Sequence, residues 1–331
     1  MRVFVTHNPE DREAYYGRSL PQLREHVEVV LNPLDRDLAP AELIETAAGC
    51  QVIAAHRATP VGAAVLDALD DLVAVLRCAV DISTIDVDAA SERGVLVARA
   101  DTSYVASTAE LALGLYLDTA RHIATSTAEY RAGIEPGQRP GRQVAGKVAG
   151  IIGYGAIGSY LARLLDALGI SVLVFDPFVD GSSIPYEAVK FDDLLARSDV
   201  VFPLAPGDQP DTAGLIGPDA IARMKPGSTL VNVSRGELLD EAAVAAALDS
   251  GHLAAVGLDV GRAADQRPSM LLAGRAEVVA TPHLGGLTPE NADAQAYSSV
   301  EQVVAMLAGN MPPRTINPDH ATRLQAWWAR R

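Results

Sequence analysis

A glycine-rich hexapeptide, Gly153-Tyr154-Gly155-Ala156-Ile157-Gly158, limits the folds open to this chain. Apolar VAGII precedes it, and AIGSYLARLLDALG (156–169) follows with apolar residues at helical spacing. A GxGxxG alone is weak evidence in a chain with 27 glycines. Between a strand and a helix, the three glycines serve a tight turn, close backbone approach to a pyrophosphate, and close packing of helix on strand. The helix N-terminus then offers free N–H groups and a partial positive charge to phosphates. Asp176 ends the next apolar run, ISVLVFDP (170–177), where a carboxylate suits the two ribose hydroxyls of a dinucleotide. It would repel a 2′-phosphate, so NAD is expected over NADP. The bland alternative is a structural turn followed by a strand-capping aspartate, which would not need this order of elements.

The rest of the chain alternates in the same way. Strands are expected at 2–6, 27–32, 51–56, 72–78 and 94–100, with amphipathic helical stretches such as 41–49 and 61–70 between them. A helix is expected from about Ser107 to Arg131 without a break, and then a Gly- and Pro-rich loop at 133–147. A second alternation runs from VAGIIGYG to VVATPHLGG (278–286). A helix from about Pro289 to Leu307 and a short tail follow, with no strand to pair with. Return of that helix to the first unit would make the unit discontinuous. The chain is 49% hydrophobic but only 5% aromatic, so its core is Ala, Val, Leu and Ile, which suits buried parallel strands.

Charge and cysteine content narrow the functional classes. A formal net charge of -15 argues against nucleic acid, which needs clustered Lys and Arg. It also leaves an anionic substrate to be captured by a few local cations. Cys50 and Cys78 form no CxxC pattern and point to buried thiols; no metal is expected. The N-terminus lacks a signal-peptide layout and no apolar run reaches membrane-spanning length, so the expected location is the cytoplasm.

The segments GKVAGIIGYGAIG, DLLARSDVV, MKPGSTLVNVSRGELLDEAAVAAAL, SGHLAAVGLDV and TPHLGG, with IDVDAASERGVLV and STAELALGL upstream, resemble the D-isomer-specific 2-hydroxyacid dehydrogenases over most of the chain. The resemblance implies an α/β protein of two Rossmann-like or flavodoxin-like domains with parallel sheets flanking a cleft. Residues 1–100 and 288–331 would form the substrate-binding domain, completed by the C-terminal helix, and 101–287 the dinucleotide-binding domain. It implies a homodimer that interconverts a 2-hydroxy acid and a 2-keto acid with NAD. Arg235 matches the arginine that binds the substrate carboxylate and carbonyl, and His283 the histidine that exchanges a proton with the substrate oxygen. A guanidinium fork suits a planar carboxylate, and an imidazole serves as acid and base near neutral pH. Asp259 matches a residue that holds the nicotinamide carboxamide. Further cofactor contacts are implied at Ala156, Ile157, Pro177, Pro206, Thr212, Val233, Ser234, His283 and Gly285, and substrate contacts at Arg57, Val80, Asp81 and Tyr104. Arg77, like Arg57, ends an expected strand, so either could face the cleft. The remaining histidines, including His7 and His56, read as surface or structural residues.

Two stretches depart from the family pattern. The family has a glutamate that orients and charges the histidine; an ungapped reading of Gly261-Arg262-Ala263-Ala264-Asp265-Gln266-Arg267-Pro268 puts Ala264 there. Asp265 and Gln266 are the candidate replacements, glutamine being used by formate dehydrogenases of this superfamily. The substrate loop carries Asp81 where relatives have a glycine-containing stretch, and that charge would oppose an anionic substrate. These departures motivate two rival readings: an NAD-binding regulatory protein with weak or no catalysis, and a dehydrogenase for another small anion.

Overall fold

Every strand that pairs into a sheet does so in parallel, as expected for Val- and Ala-rich runs covered by helices on both faces. The structure is a computed structural model and describes residues 1–207 and 211–331. It divides into two compact units, Met1–Ser103 with Pro289–Arg331, and Tyr104–Thr288.

The first unit holds β1 (Arg2–Val5), β2 (Glu28–Leu31), β3 (Val52–Ala55), β4 (Ala74–Arg77) and β5 (Leu96–Ala98) in the order β2-β1-β3-β4-β5. This is the flavodoxin-like winding. Both central runs, VIAA and AVLR, are buried throughout, whereas edge strand β2 is half-exposed. The helix Pro289–Leu307 packs on this sheet; Ser299 on it meets Tyr16 Oη at 2.8 Å, and Gln302 Nε2 donates to the Arg99 carbonyl. The tail does find a strand. Ile316 N donates to the Val97 carbonyl at 2.8 Å, Thr315 bridges Ala98 antiparallel, and a last helix, Thr322–Trp328, buries Leu324.

The second unit holds β6 (Val148–Ile152), β7 (Ser171–Phe175), β8 (Glu187–Ala188), β9 (Val200–Pro203), β10 (Ser228–Asn232), β11 (Leu253–Leu258) and β12 (Val278–Ala280). Their order is β12-β11-β10-β9-β6-β7-β8. Renumbered from β6 this is the 3-2-1-4-5-6 Rossmann winding with one strand added, and the winding reverses between β6 and β9. The expected unbroken helix is two helices, Tyr104–Arg121 and Ile123–Arg131. His122 is left-handed (φ 56°), and the Asp118 carboxylate accepts the Ala124 N–H at 2.8 Å, capping the new helix.

At the carboxyl edge of the first sheet His7 is fully buried, stacked 4.0 Å from the Tyr16 ring. Among the described residues neither of its ring nitrogens has a hydrogen-bond partner. His56, 9% exposed, lies 5.1 Å from it and faces Asp11 at 3.7 Å and Asp37 at 3.8 Å. Burial pushes both imidazoles below their ordinary pKa; for His7 the neighbouring His56 and Arg12 act the same way, while Asp11 and Asp37 partly oppose burial at His56. A buried base with a lowered pKa refuses a proton that the unfolded chain accepts. Stability from this pair is therefore present above about pH 6.5 and is lost as pH falls below it, at up to about 1.4 kcal/mol per pH unit for a histidine that stays neutral in the fold. The urea midpoint should drop between about pH 7.5 and pH 5.5, and His7→Phe should flatten that drop. An unchanged pH slope in His7→Phe would remove His7 as its source.

Candidate active site

The glycine turn closes the carboxyl end of β6. Gly153 has φ 99°, a conformation open to glycine, and a Cβ there would stand 3.0 Å from the Leu204–Ala205 backbone, which follows β9. A Cβ on Gly158 would stand 2.1 Å from the Gly153 carbonyl, so the helix Ala156–Ala167 lies directly on its own turn. Beside Gly155, by contrast, no described atom comes within 4 Å of the Cβ position. The backbone at 155–157 is thus left approachable at the head of a 12-residue helix. Asp176 follows β7 and accepts the Tyr154 N–H at 2.7 Å and the Phe178 N–H at 2.8 Å, holding turn and strand end together. Each oxygen keeps a further lone pair for a ribose hydroxyl. This arrangement suits a dinucleotide.

Past β10, Asn232 is fully buried and shapes the next turn. Its Oδ1 accepts the Ser234 N–H at 3.0 Å and its Nδ2 donates to the Arg235 carbonyl at 2.8 Å. Ser234 Oγ donates to the Ala205 carbonyl, tying this turn to the one beside the glycines. Arg235 is thereby presented outward; it is exposed and its Nη1 donates to the Ser234 carbonyl at 2.8 Å. Val233 is buried, Pro206 exposed, and Thr212 Oγ1 donates to the Pro206 carbonyl.

Past β11, Asp259 is also fully buried. Its Oδ1 accepts from Thr281 Oγ1 at 2.6 Å and from Leu284 N at 2.7 Å, and its Oδ2 from Gly285 N at 2.8 Å. Its carbonyl accepts the His283 N–H at 2.9 Å. One carboxylate therefore shapes the whole 281–285 turn that carries His283. The ring of His283 approaches the Asp265 main-chain carbonyl, Nδ1 to O, at 3.0 Å. A carbonyl only accepts, so Nδ1 is the donor and Nε2 of the neutral ring is left with a lone pair.

In the first unit Asp81 is exposed and caps its own loop through Ser83 N, and Thr84 Oγ1 donates to the Arg57 carbonyl. Arg77 does not face a site. It is 1% exposed, and its guanidinium donates to the carbonyls of His56 and Thr59 and to Thr84 Oγ1, stitching loops together. Val80 and Tyr104 are both partly buried. Asn232 and Thr281 were missed from sequence; an asparagine ending a strand before a Ser-Arg-Gly turn was the available signal for the first.

Strand order, glycine turn and strand-end aspartate together define a dinucleotide-binding α/β unit. Residues 113–285 match the family described as "D-isomer specific 2-hydroxyacid dehydrogenase, NAD binding domain". The chain is 42% identical over 266 residues to D-3-phosphoglycerate dehydrogenase of Mycobacterium leprae, covering 79% of this chain and 50% of that protein. It is 34% identical over 293 residues to hydroxypyruvate reductase of Thermotoga maritima, covering 87% and 92%. The TT0316 protein of Thermus thermophilus superposes with a TM-score of 0.83 at 30% identity, over 96% of this chain and 100% of that one. The chain thus spans about half the length of the D-3-phosphoglycerate dehydrogenase it matches and nearly all of the hydroxypyruvate reductase. This chain belongs to the D-isomer-specific 2-hydroxyacid dehydrogenase family, and its cofactor is NAD.

Proposed function

We propose that the protein interconverts a small 2-hydroxy acid and its 2-keto acid, with Arg235 anchoring the carboxylate and His283 moving the proton. The observation that carries this reading is the ring of His283: its Nδ1 is engaged by a carbonyl in a turn shaped by buried Asp259, which leaves Nε2 for a substrate oxygen. When bound in the glycine turn, the nicotinamide cofactor would supply the hydride that the keto carbon takes up. For reduction the ring of His283 enters as the imidazolium, gives its Nε2 proton to the keto oxygen and ends neutral with Nδ1–H kept; in the reverse direction the neutral ring's Nε2 takes the proton from the hydroxyl. Arg235 offers a two-pronged donor to the carboxylate. The turn 153–158 and Asp176 hold the dinucleotide, with Pro177, Pro206, Thr212, Val233 and Ser234 flanking it. Asp259 acts through the turn it holds. We assign residues 1–100 with 288–331 to the substrate and 101–287 to the cofactor, with Arg57, Val80, Asp81 and Tyr104 as substrate contacts.

The test is NADH oxidation across a panel of 2-keto acids that includes hydroxypyruvate and its phosphorylated analogue. Turnover of any member supports the assignment. Binding of NADH with no turnover across the panel favours a regulatory protein instead, the reading motivated by Ala264 at the expected glutamate position.

Cofactor choice gives a separate check. NADH should be preferred over NADPH by about 2–3 kcal/mol in kcat/KM, from lost hydrogen bonds and charge repulsion at Asp176. Arg163, the nearest cation on that helix in sequence, is stacked over Tyr160 at 5.0 Å. Asp176→Ala also loosens the glycine turn, so the ratio between cofactors is the quantity to read, and it should narrow. Equal kinetics with both cofactors in the unmutated protein would sink the role of Asp176.

We also propose a cytoplasmic homodimer that binds neither nucleic acid nor membrane. The helix Ile123–Arg131 buries none of its own residues, and its Ile123 and Tyr130, with Ile134 just past its end, are exposed, which supports a subunit contact there. No described helix is long and apolar enough to cross a membrane. Light scattering of the purified chain should give twice the monomer mass.

A further inference from the structure

The loop 261–268 replaces the family's glutamate with an unusual piece of backbone. Asp265 and Gln266 are consecutive left-handed residues, at φ 57° and 53°, and neither is glycine. Such residues cost of order 1 kcal/mol or more each and persist only where the surroundings over-determine them. Here the surroundings do so. Gly261 N donates to the Gln266 carbonyl at 2.8 Å, and Ala263 N donates to the Arg267 carbonyl at 3.0 Å, closing the loop on itself. Glu241 takes the Arg262 N–H with one oxygen and Ser269 Oγ with the other, clamping both ends. A Cβ on Gly236 would stand 2.3 Å from the Gly261 backbone, so the loop also rests on the residue after Arg235. What this construction delivers is one carbonyl, that of Asp265, 3.0 Å from His283 Nδ1. The side chain of Asp265 comes within 3.8 Å of Arg267 Nη2.

We propose that the main-chain carbonyl of Asp265, presented by the left-handed pair Asp265–Gln266, is the positioning partner of His283 and fixes its proton on Nδ1. It rests on the reading of His283 as the acid/base. It differs from a glutamate partner in supplying direction without charge: the carbonyl sets tautomer and ring orientation. His283, itself left-handed at φ 62°, completes a site in which both halves of the hydrogen bond are held by strained backbone.

The test reads the tautomer. In full-length protein labelled with ¹⁵N-histidine, the ring signals of His283 are assigned by their disappearance in His283→Gln. At about pH 8, where an ordinary imidazole is neutral, the proton should sit on Nδ1, against the Nε2 preference of a free histidine ring. Asp265→Asn, which tolerates the left-handed region, should keep the Nδ1 proton. Gln266→Val, whose branched side chain does not tolerate it, should shift the proton toward Nε2 and lower kcat at least about tenfold with KM for NADH unmoved. Gln266→Gly should restore the Nδ1 form. A proton on Nε2 in the unmutated protein overturns the proposal, and so does a shift in Asp265→Asn as complete as that in Gln266→Val. An Nδ1 proton in a protein that turns over no keto acid upholds the positioning and overturns the assigned activity, so the two readings fail separately.

Discussion

Arg235→Ala should lower kcat/KM for keto-acid reduction by about 3–5 kcal/mol of transition-state stabilisation, as expected when one partner of a charge-assisted contact is removed. The turn should survive, because the Arg235 carbonyl, and not its side chain, receives the Asn232 amide. Loss should therefore appear in catalysis with little change in thermal stability. Arg235→Lys should recover little, since an ammonium cannot reproduce a planar two-pronged donor. The guanidinium is exposed, and among the described residues its Nη1 donates to the neighbouring Ser234 carbonyl at 2.8 Å. In a chain of net charge -15, a cation so placed offsets the long-range repulsion of an anionic substrate. Near-normal kcat/KM in Arg235→Ala, measured on any keto acid the protein reduces, would take Arg235 out of the site.

The fold was legible wherever structure is written in local pattern. Runs such as VVFP and STLVN are buried along their whole length, as apolar runs between turn residues suggest for parallel strands covered on both faces. The glycine turn was legible because its constraints are steric and glycine alone meets them at 153 and 158. What could not be read depends on distant partners or on main-chain atoms. The break at His122 has no Gly or Pro to announce it; Asp118, one turn earlier, supplies the cap. The tail that pairs with β5 does so across more than 200 residues, through Ile316 and the side chain of Asn317 on Val97 N.

The site divides along the same line. Side chains in family motifs, Arg235, Asp259 and His283, lie on turns that follow β10, β11 and β12 of one sheet. The contact at His283 Nδ1 could not be read from sequence, because the atom 3.0 Å away is a carbonyl presented by two non-glycine residues in a conformation that sequence does not advertise. Arg77 shows the opposite failure: a strand-end arginine looks available, yet three oxygen acceptors and complete burial make it part of the scaffold.

Asp259→Ala should damage both the stability of the second unit and catalysis. The carboxylate is fully buried and satisfies Thr281 Oγ1, Leu284 N and Gly285 N at once. Its loss strands three neutral donors, and a buried donor left unsatisfied costs about 1–3 kcal/mol, so a total of about 3–5 kcal/mol is expected. For a unit of this size that is roughly 10 °C or more in Tm. Catalysis should fall further than stability does, because the 281–285 turn carries His283, and a shift of about 1 Å at an acid/base costs on the order of a hundredfold. Asp259→Asn separates the two effects. It keeps the volume and one acceptor oxygen but turns an NH₂ toward N–H groups, so at least one backbone donor loses its partner. Stability should drop by less than in Asp259→Ala, while kcat should fall nearly as far, since the turn must shift in both. Thermal unfolding and kcat on the two variants decide the matter. If both retain the parent Tm, Asp259 is not the anchor of the turn. If both lose stability but keep kcat, His283 does not depend on that anchor, and the geometry that places its ring comes from the 261–268 loop alone.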